Sequence, residues 1–124
     1  MSLNVLIIED SPTQAEHYRI ILEELGLSVH IAEQGQEGLE YAFNYHPDLI
    51  LLDLNLPDMD GIQVCYRLNR TPETNDIPVI MLTNRDRAAD AMWGLKAGAV
   101  DYIAKDEFAM DVLLASLEQL GIVS

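Results

Sequence analysis

The sequence predicts one α/β domain in which helices cover both faces of a five-stranded parallel sheet, a doubly wound arrangement. Short apolar segments with strand character alternate five times with segments of helical periodicity. The third apolar segment, residues 48–53, is hydrophobic on both faces between its terminal aspartates, as a central parallel strand should be. The connections are short, and 124 residues suit one hydrophobic core.

The first unit begins with an apolar strand over residues 3–8. Ser11, Pro12 and Gln14 predict the start of a helix, because serine caps helices, proline suits the first helical position and glutamine completes a capping box. Gly26 supplies a left-handed stop. The apolar residues between these signals recur at helical spacing and define one inward face: Ala15, Tyr18, Leu22 and Leu25.

The second and third units follow the same plan. Strands are predicted over residues 27–32 and 48–53, and helices over residues 35–45 and 61–70. Pro47 ends the first of these helices. Its inward side is expected to consist of three apolar residues: Leu39, Ala42 and Phe43.

The last two units lie beyond a polar loop over residues 71–76. Their predicted bounds are 78–82 and 99–103 for the strands, and 86–97 and 107–120 for the helices. The final helix carries an apolar stripe that is expected to face the core: Leu113, Leu117 and Leu120. Trp93, on the helix before it, is either an exposed contact for a partner or a partly buried packing residue.

The charge balance limits the classes of partner. Seven basic and 21 acidic residues give a formal net charge of −14, which argues against non-specific binding to nucleic acid or anionic lipid. The single cysteine, Cys65, allows no internal disulfide and fits a reducing compartment. No apolar run approaches the length of a membrane span. We therefore expect a cytoplasmic location, without nucleic acid or membrane as partners.

Functional side chains follow four of the predicted strands. Glu9 and Asp10 follow the first strand, Asp53 ends the third, Thr83 follows the fourth and Lys105 follows the fifth. Ligands of an open parallel sheet bind outside the carboxyl ends of the strands, so we expect these side chains to meet at one edge.

Carboxylates gathered at one edge need a counter-charge. Two unit charges 4 Å apart repel by about 4 kcal/mol at an intermediate effective dielectric. Several carboxylates remain ionised together when a cation joins them, and hard oxygen ligands with room for water suit Mg²⁺. The residues therefore predict a site for a divalent cation and for an anion bound upon it.

The sequence resembles the receiver domain of two-component response regulators over essentially its whole length. The matching pieces, in chain order, are Glu9-Asp10, Asp53, "LPDMDG" at 56–61, Thr83 after "IPVIML", and "AGAVDYIAK" at 97–105. Their joint order and spacing on five βα units carry the resemblance. It implies a flavodoxin-like fold with strand order 2-1-3-4-5, and a single receiver domain over residues 1–124, either free-standing or cut from a longer regulator or hybrid kinase.

The resemblance implies a phosphoacceptor, not an enzyme that acts on other molecules. Asp53 would take a phosphoryl group from the histidine of a kinase or of a phosphotransfer protein. Mg²⁺, or Mn²⁺ in its place, would be held by Asp10, Asp53 and the backbone carbonyl of Asn55, with Glu9 acting mostly through water.

The remaining two site residues would stabilise the oxygens of the transferred group. Lys105 would supply positive charge, and the hydroxyl of Thr83 would donate a hydrogen bond together with a backbone N–H near residue 54. The resemblance further implies that Thr83 points away in the unmodified state and turns inward on phosphorylation. The ring of Tyr102 would then enter the vacated space, where the alternative is an ordinary half-buried aromatic.

The switch would change the face formed by helix four, strand five and helix five. That face is also the expected surface for a homodimer and for a downstream effector, which the sequence does not identify. Receivers usually have proline after this lysine, but here Asp106 follows Lys105. We therefore expect a trans peptide bond between the two residues, with Asp106 capping the last helix. Asn84 replaces a small residue and would narrow access to the phosphoacceptor, while Asn55 and Arg85 occupy positions that tune phosphoryl lifetime.

Three other functions compete with this interpretation. A haloacid dehalogenase-type phosphatase would need its nucleophile after the first strand, in an Asp-x-Asp arrangement that is absent there. A flavodoxin-like cofactor protein would need a phosphate-binding loop where the acidic pair of residues 9 and 10 would repel phosphate. A pseudo-receiver, which uses the same fold as an unphosphorylated interaction module, is the stronger alternative.

Overall fold

A computed structural model of the chain describes residues 2–85 and 87–124. Over these residues, five strands form one parallel sheet in the order β2-β1-β3-β4-β5, which confirms the predicted topology. The strands are β1 (Asn4–Ile8), β2 (Ser28–Ala32), β3 (Leu49–Leu52), β4 (Val79–Thr83) and β5 (Asp101–Ala104). The helices are α1 (Pro12–Glu24), α2 (Gly35–Tyr45), α3 (Gly61–Arg70), α4 (Ala88–Lys96) and α5 (Ala109–Gln119).

The sheet separates two apolar cores, as expected for a doubly wound fold. On one face, Tyr18 of α1 and Leu113 of α5 pack with buried residues of the sheet. On the other face, Ala42 of α2 and Val64 of α3 pack with a second set of strand residues. Each central strand alternates its side chains between the two cores, and all four residues of β3 are buried.

Helix starts are fixed by short polar side chains. The Ser11 hydroxyl accepts a hydrogen bond from the Gln14 N–H at 3.4 Å, and Pro12 occupies the first turn of α1, as predicted. Helix α2 is capped from a distance, because the Asp58 carboxylate accepts from the N–H groups of Gly35 and Gln36 at 2.8 and 2.9 Å. This acidic residue therefore stabilises a helix terminus and belongs to no cluster around Asp53.

The predicted inward face of α2 is partly wrong. Ala42 is buried, but Phe43 is 52% exposed. Leu39 packs against the core as predicted but is only partly buried, and the fully buried positions are small residues, since Gly35 and Gly38 are buried together with Ala42. A Cβ atom on Gly38 would lie 2.4 Å from Ile8 Cδ1, so α2 approaches the sheet too closely for a large side chain.

Two leucines at helix ends also differ from expectation. Leu25 is 40% exposed because α1 ends at Glu24 and Leu25 is the C-cap residue. Leu120 is 37% exposed because α5 ends at Gln119, whereas Leu113 and Leu117 are fully buried.

Helices α4 and α5 begin later than predicted. The expected first residue of α4, Asp86, lies outside the described residues. Helix α5 begins at Ala109 because Asp106 forms a turn before it, in which Asp106 Oδ1 accepts from the Phe108 N–H at 2.9 Å. Asp106 thus orders the approach to α5 without being its N-cap. The described backbone contains no cis peptide bond, and the Lys105–Asp106 bond is trans as expected.

Gly61, the first residue of α3, lies directly against the end of β3. Its N–H donates to the Leu54 carbonyl at 2.8 Å. A Cβ atom at this position would lie 2.4 Å from the carbonyl oxygen of Asp53 and 2.6 Å from the Cα of Leu54. Since both neighbours are backbone atoms, any side chain at residue 61 would displace the chain next to Asp53.

Candidate functional site

Four functional side chains lie at the carboxyl edge of the sheet. Glu9 follows β1, Asp53 follows β3, Thr83 ends β4 and Lys105 follows β5. Sheet-like hydrogen bonds continue past the strand ends, because the Asp53 N–H donates to the Ile8 carbonyl at 3.0 Å and the Lys105 N–H donates to the Thr83 carbonyl at 2.9 Å. The sheet itself therefore holds these residues in place.

The Lys105 ammonium lies at the centre of the site. It donates hydrogen bonds to side-chain oxygens of Glu9 and Gln14 and lies 3.1 Å from Asp53 Oδ2. Burial lowers the pKa of Lys105, but its hydrogen bond to Glu9 and the negative charges of Asp53 and Glu9 outweigh this effect and raise the pKa above its usual value. The ammonium therefore carries a full positive charge at neutral pH.

The Asp53 carboxylate is almost enclosed, with 7% of the residue exposed. Burial raises the pKa of Asp53, but a hydrogen bond with Thr83 and the neighbouring Lys105 charge lower it more, so that the pKa lies below its usual value. The Asn55 N–H also donates to Asp53 Oδ1 at 3.3 Å. These contacts keep Asp53 ionised in a site with little water.

Three carboxylates gather beside Lys105. Glu9, Asp10 and Asp53 each bring one oxygen within 4.8 Å of the others. Burial raises the pKa of Glu9 and the charge of Asp53 raises it further, against the lowering effect of the Lys105 hydrogen bond. Both Glu9 oxygens already accept hydrogen bonds, from Lys105 and from the Ser11 N–H. Asp10 is exposed, and this set of three carboxylate donors fits a hard divalent cation.

Two hydrogen bonds connect Thr83 with Tyr102 through the backbone of Arg85. Thr83 is fully buried, and its Oγ1 accepts from the Arg85 N–H at 3.3 Å. The carbonyl of Arg85 accepts a hydrogen bond from the Tyr102 hydroxyl.

The Arg85 side chain forms ion pairs with the start of α3 and with α4. Its guanidinium lies 2.8 Å from Asp60 Oδ2 and 2.6 Å from Asp90 Oδ1. Asp60 is also the N-cap of α3, where its other carboxylate oxygen accepts from the Ile62 N–H at 2.8 Å. These ion pairs were not predicted, because they depend on how the loop after β4 folds over the loop after β3.

Gln14 is the second contact that sequence reasoning missed. It was predicted only as a helix-start residue, yet its side-chain oxygen accepts a hydrogen bond from Lys105. Its position in the first turn of α1, four residues after Asp10, was the available signal. Asn55 and Asn84 are exposed at the rim of the site, and Asn55 forms a single β-bridge with Asp60.

Comparison with known proteins gives consistent matches over nearly the whole chain. The model of the response regulator receiver domain family matches residues 5–118. The chain is 38% identical over 120 residues to the response regulator MprA of Mycobacterium sp. (strain KMS), a match that covers 97% of this chain and 51% of MprA. The chain thus spans about half the length of this curated relative.

Two solved structures extend the comparison. The signal receiver domain of a signal transduction histidine kinase from Syntrophus aciditrophicus is 39% identical with a TM-score of 0.86, over 96% of this chain and 89% of that one. The receiver domain of a sensor histidine kinase from Pseudomonas aeruginosa PAO1, which has a magnesium ion coordinated in its active site cleft, is 26% identical with a TM-score of 0.86, over 98% and 99% of the two chains.

Proposed function

Because this chain belongs to the response regulator receiver domain family, we propose that it accepts a phosphoryl group on Asp53 in a Mg²⁺-dependent reaction. One observation carries the proposal: the nearly enclosed, ionised Asp53 lies 3.1 Å from the Lys105 ammonium and beside two further carboxylates. A nucleophile, a cationic donor and a metal-binding donor set thus share one cleft, as phosphoryl transfer requires.

In the proposed step, an oxygen of Asp53 forms a bond to phosphorus while the bond between phosphorus and the donor histidine nitrogen breaks. That nitrogen keeps the electron pair, and because the other ring nitrogen of the donor carries a proton, the imidazole leaves in its neutral form. Lys105 and the Thr83 hydroxyl donate hydrogen bonds to the phosphoryl oxygens. Catalysis of this kind depends on positioning and charge neutralisation, which buried residues fixed by a sheet provide.

Asp10, Asp53 and the backbone carbonyl of Asn55 are proposed to hold Mg²⁺, with Mn²⁺ as the alternative ion. When bound, the ion would neutralise negative charge on the transferred group. The hydrogen bonds that occupy both Glu9 oxygens support an indirect role for Glu9, through water. The magnesium in the related Pseudomonas receiver domain supports the choice of ion.

Incubation with acetyl phosphate tests the proposal directly. In the presence of Mg²⁺ we expect intact-mass spectrometry to show the addition of one phosphoryl group. Removal of the metal with EDTA should reduce the uptake to background, because the clustered carboxylates then repel the incoming phosphate, and Mn²⁺ should restore it. An unchanged mass with both ions would instead favour the pseudo-receiver.

The Tyr102 hydroxyl is proposed to couple phosphorylation to the α4–β5–α5 face. The variant Tyr102→Phe loses the hydrogen bond to the Arg85 carbonyl but keeps the ring. We expect it to take up the phosphoryl group normally, while the conformational change of the α4–β5–α5 face is incomplete. One such hydrogen bond is worth about 0.5–1.5 kcal/mol, so the ratio of the two conformations should change by about two- to tenfold.

Amide chemical shifts of α4, recorded before and after phosphorylation, measure this change. Tyr45→Phe is the matched control, because Tyr45 is 67% exposed on α2. Equal shift changes in Tyr102→Phe and in the wild type would remove Tyr102 from the switch.

We further propose that a histidine kinase or a histidine phosphotransfer protein supplies the phosphoryl group, and that residues 1–124 act as one receiver domain in the cytoplasm. None of the helices in the described part of the chain has both the length and the apolar character needed to cross a bilayer. The histidine-kinase receiver domains among the structural relatives support a hybrid kinase, and the longer MprA supports a regulator with an effector domain. The full open reading frame distinguishes these arrangements from a free-standing domain.

A further inference from the structure

A groove with an unusual composition lies between α3 and α4, and the residues that line it include neither Asp53 nor Lys105. Its volume is about 360 Å³, within the range of about 300–1,000 Å³ that is typical of ligand sites. The walls consist mainly of Ile62, Tyr66, Arg67, Trp93, Lys96 and Ala97. These six residues together with Arg70 are called the basic–aromatic groove below.

The aromatic side chains of this groove are exposed. Tyr66 is 48% exposed and Trp93 is 54% exposed. The guanidinium of Arg70 lies 4.7 Å from the centre of the Tyr66 ring, and the ammonium of Lys96 lies 5.4 Å from the centre of the Trp93 ring. Each ring therefore has a cation over one face, and the groove combines apolar surface with positive charge.

The positive charge is concentrated here on a strongly acidic chain. Of the seven basic residues, three are committed elsewhere, because Arg19, Arg85 and Lys105 all form ion pairs. Arg67, Arg70 and Lys96 form no ion pair with any residue in 2–85 or 87–124. Basic residues in last helical turns also complement the helix dipole, but this does not account for their position beside exposed rings.

The positive charges and exposed rings of the groove indicate what kind of partner would bind there. We propose that the basic–aromatic groove docks a partner protein through a short segment that carries apolar side chains flanked by carboxylates. The apolar side chains would contact Tyr66 and Trp93, and the carboxylates would pair with Arg67, Arg70 and Lys96. The ten residues of α3 span about 15 Å, which matches two to three turns of a helical segment lying along this helix.

Two other occupants fit less well. A second copy of this chain also carries a net charge of −14, so two copies repel each other. A single-stranded nucleic acid would find stacking surfaces and three cations, but the remaining surface would repel its phosphates. A short acidic segment contacts only the groove, so the acidic residues elsewhere on the surface repel it less.

Selection from a phage-displayed library of random dodecapeptides tests the proposal. A chain with a charge of −14 should enrich basic peptides if only its overall field matters. We expect the opposite result, the enrichment of peptides that combine acidic with aromatic or aliphatic residues. The selected peptides should change the fluorescence of Trp93, the only tryptophan of the chain, and their affinity should fall as the salt concentration rises.

Variants then locate the binding site by fluorescence anisotropy of a labelled selected peptide. Arg67→Glu and Lys96→Glu should each weaken binding at least about fivefold, and Trp93→Ala about tenfold. Arg87→Glu makes the same charge change in an exposed residue at the start of α4, and Tyr45→Ala removes an aromatic residue that is more exposed than Trp93. Both controls should bind like the wild type.

Three results would overturn the proposal: enrichment of basic peptides only, acidic peptides that bind Arg67→Glu and Lys96→Glu as tightly as the wild type, or displacement of the selected peptide by an equal concentration of a single-stranded oligonucleotide. The selection uses the unmodified chain and no phosphodonor. Its result is therefore independent of the function proposed for Asp53.

Discussion

Replacing Asp53 by asparagine is expected to abolish phosphoryl uptake from acetyl phosphate in the presence of Mg²⁺. Asparagine has almost the same shape as aspartate, but its amide oxygen carries no negative charge and is a poor nucleophile. The substitution also removes one of the three carboxylates that gather within 4.8 Å of one another. Intact-mass spectrometry should then show no modified protein at times when the wild type is fully modified.

Asp58→Asn is the matched control for this experiment. Asp58 lies in the same loop, is exposed, and accepts hydrogen bonds from the first N–H groups of α2. Its replacement should cost some helix stability and leave phosphoryl uptake intact. Uptake by Asp53→Asn at the wild-type level, with Asp58→Asn also active, would place the phosphoacceptor on another residue.

Lys105→Met is expected to slow phosphoryl uptake by about 10²–10³-fold, the effect typical of removing one preorganised donor from a charged transition state. The methionine keeps the apolar stem of the lysine but loses the ammonium that contacts both Asp53 and Glu9. The charge of Lys105 is also among the causes that lower the pKa of Asp53. Its removal should therefore raise that pKa, and the uptake of the variant should fall at a higher pH than the uptake of the wild type as the solution is acidified.

The pH dependence of the uptake rate, measured with acetyl phosphate, separates these two effects. Lys96→Met is a close control, because Lys96 is the other lysine of the chain and is exposed on α4. Lys105→Arg keeps the charge in a different geometry and should recover part of the rate. A rate and pH profile for Lys105→Met equal to those of Lys96→Met would exclude Lys105 from the transfer step.

The sequence was informative wherever a residue's position follows from a strand. Asp53 directly follows β3 and Lys105 directly follows β5, so a parallel sheet alone brings them to one edge. The same rule gave the approximate bounds of the elements, because apolar runs and capping residues are local signals. Tertiary context was harder to predict: the inward face of α2 includes the buried Gly35 and Gly38, which a search for large apolar residues does not find.

The contacts between loops were not predictable from the sequence. Arg85 pairs with Asp60, 25 residues away, only because the loops after β3 and β4 approach each other. Gln14 reaches Lys105, 91 residues away, only because α1 has a particular rotation about its axis. The Arg85 contact has no signature in residue type or spacing, and the position of Gln14 in the first turn of α1 indicates only that its side chain lies near the site.

The close contact of Gly61 with the backbone of residues 53 and 54 has a practical consequence for redesign. The start of α3 packs directly on the backbone that follows β3 and carries Asp53, without an intervening side chain. Outward positions of α3 can then be exchanged to graft new recognition properties without moving the carboxylate, provided that residue 61 stays glycine. A library built on this helix should vary its solvent face freely and keep its first residue constant.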